Sequence, residues 1–376
     1  MIRILHVITG MGSGGAESMI MNWYRKIDRT KIQFDFLLRS NENIYRDEIE
    51  EMGGRVYYMP EFPKRYFSNF LQTYNFFKKH HKEYNIIHVH ANALIYTNVF
   101  LIAKHFGIKH RIIHSHSTST KSKLFLPLHK INKLRIKRMA NCFLACSKEA
   151  GEWCFKDSFT VINNGIDTEK FKYSKSDRED IREEFGIENN ATVFCHVGRF
   201  LEVKNHSFLL ELFEKIYEED NESFLILVGT GPLKTKYENA VKEMNCCNNV
   251  IFAGVRSDVH KIMSASDVLI FPSLYEGVAV TLIEAQANGL YSVVSDVLPS
   301  VVKITDNIVF LSLKDELETW KNVVKNQIDV DRLQCNEMVK NSDFNIENVA
   351  EYIQSIYINL DKESSNAKDF NYNGRL

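Results

Sequence analysis

Short β-rich runs and longer helical patterns alternate along this chain in two successive series. The first holds IRILHVI, QFDFLL, NIIHVH, RIIHSH, CFLACS and FTVIN. That order is the signature of a parallel sheet covered by helices. A turn-rich NNGID at 163–167 and a polar, charged helix ending at Gly186 interrupt it. The second series then runs through TVFCHVG, FLILVG, VIFAG, DVLIFP and SVVSD. The reading is an α/β protein of two Rossmann-like domains joined near residues 163–175, and 376 residues suit two cores. The boundaries are 1–165 and 175–344, with a helix at about 345–360 returning to the first domain and a polar tail over 361–376. Ligands of such sheets bind at the carboxyl ends of the strands, so the expected site is a central cleft that both domains face.

The apolar run in MIRILHVITG is too short for a signal peptide, and no stretch nears the roughly 20 apolar residues of a membrane helix. The expectation is a cytoplasmic protein, soluble or peripheral on the inner face of the plasma membrane. Seven cysteines, odd in number and without C-x-x-C spacing, read as reduced, buried thiols.

Charge is near balance overall but uneven along the chain. Residues 1–165 hold 25 Lys and Arg against 13 Asp and Glu, and the remainder holds 22 against 35. An anionic partner for the first half follows. Two acid-free segments concentrate the cations, 64–82 (KRYFSNFLQTYNFFKKHHK) and 121–138 (KSKLFLPLHKINKLRIKR), both interleaved with aromatic or aliphatic residues. Plain amphipathic helices with their apolar stripes on the sheet explain the periodicity. An anionic membrane surface, met by charges such as Lys78, Lys79, Lys133 and Lys137, also explains the missing acids. Nucleic acid is not expected, because no recognition motif accompanies the basic segments.

After the first strand, HVITGMGSGGAESM contains a G-x-G-x-x-G pattern in Gly10, Gly12 and Gly15. Such glycines let backbone N–H groups approach a phosphate at a helix start. The acidic residue that would bind a ribose is absent from FLLRS, which offers Arg39 and Ser40. An NADP-dependent oxidoreductase is therefore an alternative, and a tight turn without ligand is another. In HVGRFLEVKNH, Arg199 and Lys204 suit a diphosphate, unless they are solvated surface charges. Gly229 and Gly231 of VGTGPL shape a neighbouring turn.

SLYEGVAVTLIEAQANG places Glu276 and Glu284 eight positions apart in an apolar run. The pattern predicts a loop at Gly277, a helix from about Ala279 to Asn288 and a stop at Gly289. Carboxylates there need donors, whether basic side chains or sugar hydroxyls. The pairs His88/His90 and His114/His116 each lie on one strand face. A metal is not expected, for lack of carboxylates at ligand spacing. His114 reads as a structural core histidine, and His88 and His90 as candidates for the acceptor side of the cleft.

GGAES, HSHSTSTKS, NNGID, GRFLEVKN, VGTGPL and FPSLYEGVAVTLIEAQANGL, in this order over nearly the whole chain, resemble the retaining glycosyltransferases of family 4. The resemblance is to the branch that builds bacterial capsular and exopolysaccharides, and it implies the GT-B fold. It makes Glu276 and Glu284 the family's E-x7-E pair, with Glu276 facing the donor sugar and Glu284 the ribose. It implies that Gly14 and Gly15 belong to the donor site and that the backbone amides of Val280 and Thr281 meet the donor's diphosphate. Arg199 and Lys204 would neutralise the leaving diphosphate in place of a metal. Arg256 falls where the family holds the base through backbone groups, His116 beside the reacting sugar, and Asn164 at the domain junction. The catalytic set so implied is His116, Arg199, Lys204 and Glu276, with no cofactor. The implied partners are a UDP-type nucleotide sugar and a lipid-diphosphate-linked saccharide. Val278, Ala279 and Tyr291 depart from the family's usual residues. A non-catalytic nucleotide-sugar-binding homologue is a further alternative.

Overall fold

The computed structural model describes residues 1–372 apart from 13, 121, 157 and 327–330, with side chains as far as residue 363. The chain forms two compact units, residues 1–165 with 346–376 and residues 166–345.

The first unit is a parallel sheet of β1 (Ile2–Ile8), β2 (Ile32–Leu38), β3 (Val56–Tyr58), β4 (Ile86–Ala91), β5 (His110–Ser115), β6 (Cys142–Ala145) and β7 (Thr160–Val161), in the order β3-β2-β1-β4-β5-β6-β7. All seven residues of β2 are buried, as expected of a strand covered on both faces. One face carries the helices Gly15–Lys26 and Ile346–Tyr372, which bury Trp23, Tyr24, Ile353 and Tyr357. The other carries Tyr66–His80, Asn98–His105 and Lys148–Cys154, over Phe76, Phe77 and Phe100. The strand order changes direction between β1 and β4, so a ligand crevice is expected beyond their carboxyl ends. The final helix continues to Tyr372, through the stretch that reads as a polar tail, and 373–376 lie outside the described residues.

The second unit holds β8 (Val193–Val197), β9 (Phe224–Val228), β10 (Val250–Gly254), β11 (Val268–Phe271), β12 (Tyr291–Ser295) and β13 (Ile308–Leu311), in the order β10-β9-β8-β11-β12-β13. Its direction changes between β8 and β11. The helix predicted after Gly277 spans Val280–Ala287. Gly289 follows it at φ +69°, where a Cβ would stand 2.4 Å from the Arg332 backbone, so only glycine suits this helix end. β3 and β13 are absent from the sequence reading, because edge strands of three and four residues carry too little pattern.

Of the two readings of 121–138, an aliphatic stripe packed on the sheet and a surface for lipid, the first does not describe its helix: Leu126–Arg135 buries His129 and Asn132 instead. Leu128, Ile131 and Leu134 are 39%, 47% and 64% exposed. The cause is polar anchoring: Leu94 N donates to His129 Nδ1 at 3.0 Å, and Asn132 Nδ2 donates to Leu94 O at 2.7 Å. Satisfying that buried backbone fixes which face of the helix turns inward. The helix Tyr66–His80 does bury Phe76 and Phe77, while Tyr66, Phe67, Phe70 and Leu71 remain exposed.

Candidate active site

In the first unit, a cavity of about 650 Å³ lies at the carboxyl ends of β1, β4 and β5. Gly14 and Gly15, His90, His116 and Asn164 line it, so four residues predicted for the site meet here with one predicted for the acceptor side. Gly14 precedes the helix Gly15–Lys26 without a side-chain cap, which leaves first-turn N–H groups to be satisfied otherwise. Asn164 Oδ1 is buried without a donor.

His116 follows β5, and its backbone N donates to Ala91 O at 3.0 Å. Its ring belongs to a stack of five imidazoles on three neighbouring strands. His6 Nδ1 and His90 Nε2 are 2.9 Å apart, and His90 Nδ1 and His116 Nε2 are 2.8 Å apart. A second chain runs from Tyr357 Oη through His88 to His114, at 2.6 and 3.3 Å. Burial pushes His116 down to about 3, and His90 and His114 well below the ordinary histidine value, so the stack is neutral at pH 7. Ring nitrogens of His90, His114 and His116 fall within 4.8 Å of one another. Those of His90 and His116 lie on one hydrogen bond rather than around a common centre. His114 is a core residue, as expected. His88 is not on the acceptor side, because Tyr357 holds it in the core and it does not reach the cavity.

In the second unit, the loops after β8 and β11 come together, with Leu274 N donating to Val203 O at 2.8 Å. Lys204 Nζ stands 2.7 Å from Glu276 Oε1, yet off the line of a hydrogen bond, so the attraction is chiefly coulombic. The ammonium also lies 4.4 Å from the centre of the Phe271 ring. The Lys204 side chain crosses Gly198, where a Cβ would approach Lys204 Cε to 3.2 Å. Gly229, at φ +135°, lies so close to Gly198 O that a Cβ would stand 2.1 Å from it, which is why these strand-end turns can stack. Arg199 is exposed and without a carboxylate among the described residues.

Val280 and Thr281 open the helix Val280–Ala287, whose N-cap residue Ala279 provides no side-chain acceptor. The first N–H groups and the helix dipole together favour an anion there. Glu284, one turn on, is pushed up to about 7 by burial, which the positive charge of Lys170 partly offsets. No signal in the sequence marked Lys170. Arg256 is engaged differently from a ligand-binding side chain: Glu184 takes it at 2.6 and 3.0 Å, and Asp258 at 2.8 Å twice.

No helix among the described residues is long and apolar enough to cross a membrane. The family "Glycosyltransferase Family 4" matches residues 13–170, and "Glycosyl transferases group 1" matches 177–316. EpsF of Bacillus subtilis (strain 168) is 34% identical over 334 residues, 86% of each chain. The Escherichia coli UDP-Gal:alpha-D-GlcNAc-diphosphoundecaprenol alpha-1,3-galactosyltransferase is 26% identical, over 87% of this chain and 90% of its own. The capsular polysaccharide biosynthesis glycosyltransferase CapH of Staphylococcus aureus is 25% identical, over 87% and 91%. Among solved structures, Anabaena HepE in complex with UDP superposes with a TM-score of 0.69 at 17% identity, over 98% of this chain and all of its own. These relationships do not favour the oxidoreductase reading. With the E-x7-E glutamates and both sheets in place, the chain belongs to the family-4 glycosyltransferases of GT-B fold, in the polysaccharide-building branch.

Proposed function

We propose that this enzyme transfers a sugar, with retention of configuration and without a metal, from a UDP-linked donor to a lipid-diphosphate-linked saccharide during surface polysaccharide synthesis. The observation that carries the reading is the placing of Lys204 against Glu276, 2.7 Å apart, just before a helix whose N-terminus has no side-chain cap. The donor's diphosphate takes the N–H groups of Val280 and Thr281, with Arg199 and Lys204 as its counter-charges. Glu276 accepts from hydroxyls of the sugar and Glu284 from those of the ribose. Gly14, Gly15, His116 and Asn164 serve the reacting end of the donor, and the backbone of Arg256 its base.

As the acceptor hydroxyl attacks the anomeric carbon, the bond to the β-phosphate oxygen breaks. That oxygen takes the acceptor's proton while the two cations stabilise the charge developing on it. The E. coli relative's printed name, with its UDP-galactose donor and diphosphoundecaprenol acceptor, supports the donor and acceptor classes. The acid-free, partly apolar surface of Tyr66–His80 and Leu126–Arg135 supports an acceptor at an anionic leaflet.

The test is a thermal-shift panel of UDP, ADP, GDP and UDP-sugars, since a ligand of the folded state raises the melting midpoint. UDP compounds should stabilise the parent, and Glu284→Ala should lose most of that effect. Equal stabilisation of parent and variant would remove Glu284 from the nucleotide site.

A further inference from the structure

Arg39 stands in the wall of the first unit's cavity, 8% exposed. Its Nη2 donates to Thr9 Oγ1 at 3.0 Å, and its guanidinium carbon lies 4.1 Å from the centre of the Tyr96 ring. Its Nε has no acceptor, and no carboxylate comes within ion-pair distance among the described residues. Other deeply buried arginines are satisfied within the protein: Arg182 by Asp267 at 2.9 Å, and Arg332 by the carbonyl of Ser266 at 2.7 Å. Burial pushes Arg39 down to about 10, which still leaves it a cation at neutral pH. A buried cation facing a cavity without a counter-ion is costly unless something enters to pair with it.

Two carboxylates, Glu17 and Glu42, also line the cavity. Glu42 Oε1 lies 2.3 Å from where a Cβ on Gly12 would stand, and Glu17 Oε2 lies 2.3 Å from that of Gly14. Both crowd the glycine loop at Gly12 and Gly14, and neither pairs with Arg39 among the described residues.

We propose that Arg39 is the receptor for an oxyanion, phosphate or carboxylate, borne by the acceptor saccharide, with the Tyr96 ring fixing the plane of the guanidinium. The inference rests on the transferase reading and adds the charge of the acceptor to it. A guanidinium held in one plane presents parallel N–H groups that match either oxyanion, a geometry that lysine lacks.

The experiment uses the full chain carrying Arg199→Gln and Lys204→Gln, so that the second unit's cations do not bind the probe. Sodium phosphate and sodium glucuronate are each titrated against sodium chloride of equal ionic strength, with melting as the readout. A rise with phosphate alone identifies a phosphate receptor, and a rise with glucuronate alone a carboxylate receptor. In either case Arg39→Gln in the same background should weaken the response by about tenfold or more, the loss of one charged hydrogen bond. Arg39→Lys, which keeps the charge but not the fork, decides the matter if the glutamine variant does not fold, and its response should also be weaker. An undiminished response in either variant, or no response to either anion before Arg39 is changed, overturns the proposal. The probe needs neither donor nor turnover, so failure of the transferase reading would appear separately, as absence of stabilisation by UDP in the parent chain.

Discussion

His90 Nδ1 and His116 Nε2 share a hydrogen bond of 2.8 Å, and His90 Nε2 shares another with His6 Nδ1. The direction of this chain follows from its far end. His6 Nε2 is buried without a partner, and a bare acceptor there costs less than an orphaned N–H. The protons therefore run from His6 to His90 to His116, and His116 holds its own proton on Nδ1. Histidine-edited nitrogen spectra at pH 7 should show neutral His116 as the Nδ1–H tautomer, without titration down to about pH 4. An Nε2–H signal would reverse the chain. His90→Phe, which keeps a stacked ring, should lower kcat with little change in donor KM if the tautomer matters to turnover.

Lys204 and Glu276 form one of the ion pairs of the second unit, 2.7 Å apart and both largely buried. Replacing Arg199 or Lys204 by alanine should lower turnover more than donor affinity, because negative charge grows on the diphosphate as the bond breaks. Equal losses in kcat and in donor binding would make the cations ground-state ligands only. With the carboxylate facing the sugar rather than the nucleotide, as proposed, Glu276→Gln should leave UDP affinity within about threefold of the parent and depress transfer.

The strand–helix alternation made both sheets legible, and the E-x7-E spacing with its glycine stop located the helix Val280–Ala287 to within a residue. The inward face of Leu126–Arg135 was not legible. Its anchors are hydrogen bonds to Leu94, 35 and 38 positions away, which a helical periodicity does not contain. The same holds for Arg39, whose setting depends on Tyr96, and for Lys170 beside Glu284. The motif around Arg256 likewise does not show that two acids hold its side chain, one from 72 residues earlier. Contacts that join distant segments decide these cases, and local pattern carries little of that information.

Glu284 makes the stability of the fold depend on pH. Burial raises it from 4.5 to about 7, so its carboxylate is disfavoured in the folded chain. That penalty is absent below pH 4.5, grows as pH rises through this window and is complete above about 7. Glu284→Gln should therefore stabilise the unliganded protein by roughly 1–3 kcal/mol at pH 8 and by nothing at pH 4. Under the proposed role, ribose hydroxyls would donate to the ionised form and pull its pKa back down. UDP binding at pH 6 should then release a proton, detectable by calorimetry in buffers of different ionisation enthalpy. If parent and Glu284→Gln release the same amount, the ribose does not meet this carboxylate.

The surface of the first unit supplies the last test. Phe67 is 85% exposed and Leu71 59% on one helix, and Leu124 is 81% and Leu134 64% exposed at the other segment. The helix Tyr66–His80 covers the same face of the sheet as Asn98–His105, which adds Leu101 at 51%. Of the cations expected to meet lipid, Lys133 donates to Glu152 O and Lys137 also has a partner. Lys78, Lys79, Lys123, Lys130 and Arg135 are the better candidates, since none has a carboxylate within reach among the described residues. Ser122 and Phe125, at the start of the second segment, line the cavity, so an acceptor head group there and its lipid at the leaflet would be contiguous. In sedimentation with vesicles, the chain should bind anionic but not neutral liposomes, and salt should reverse it. Changing Lys123, Lys130 and Arg135 to glutamine should weaken binding by about 3 kcal/mol, over a hundredfold, at about 1 kcal/mol per cation. Leu128→Ser with Leu134→Ser should weaken it further without unfolding the protein, because both side chains already face outward. Binding that ignores lipid charge, or survives both sets of changes, would leave a transferase that meets its acceptor in solution.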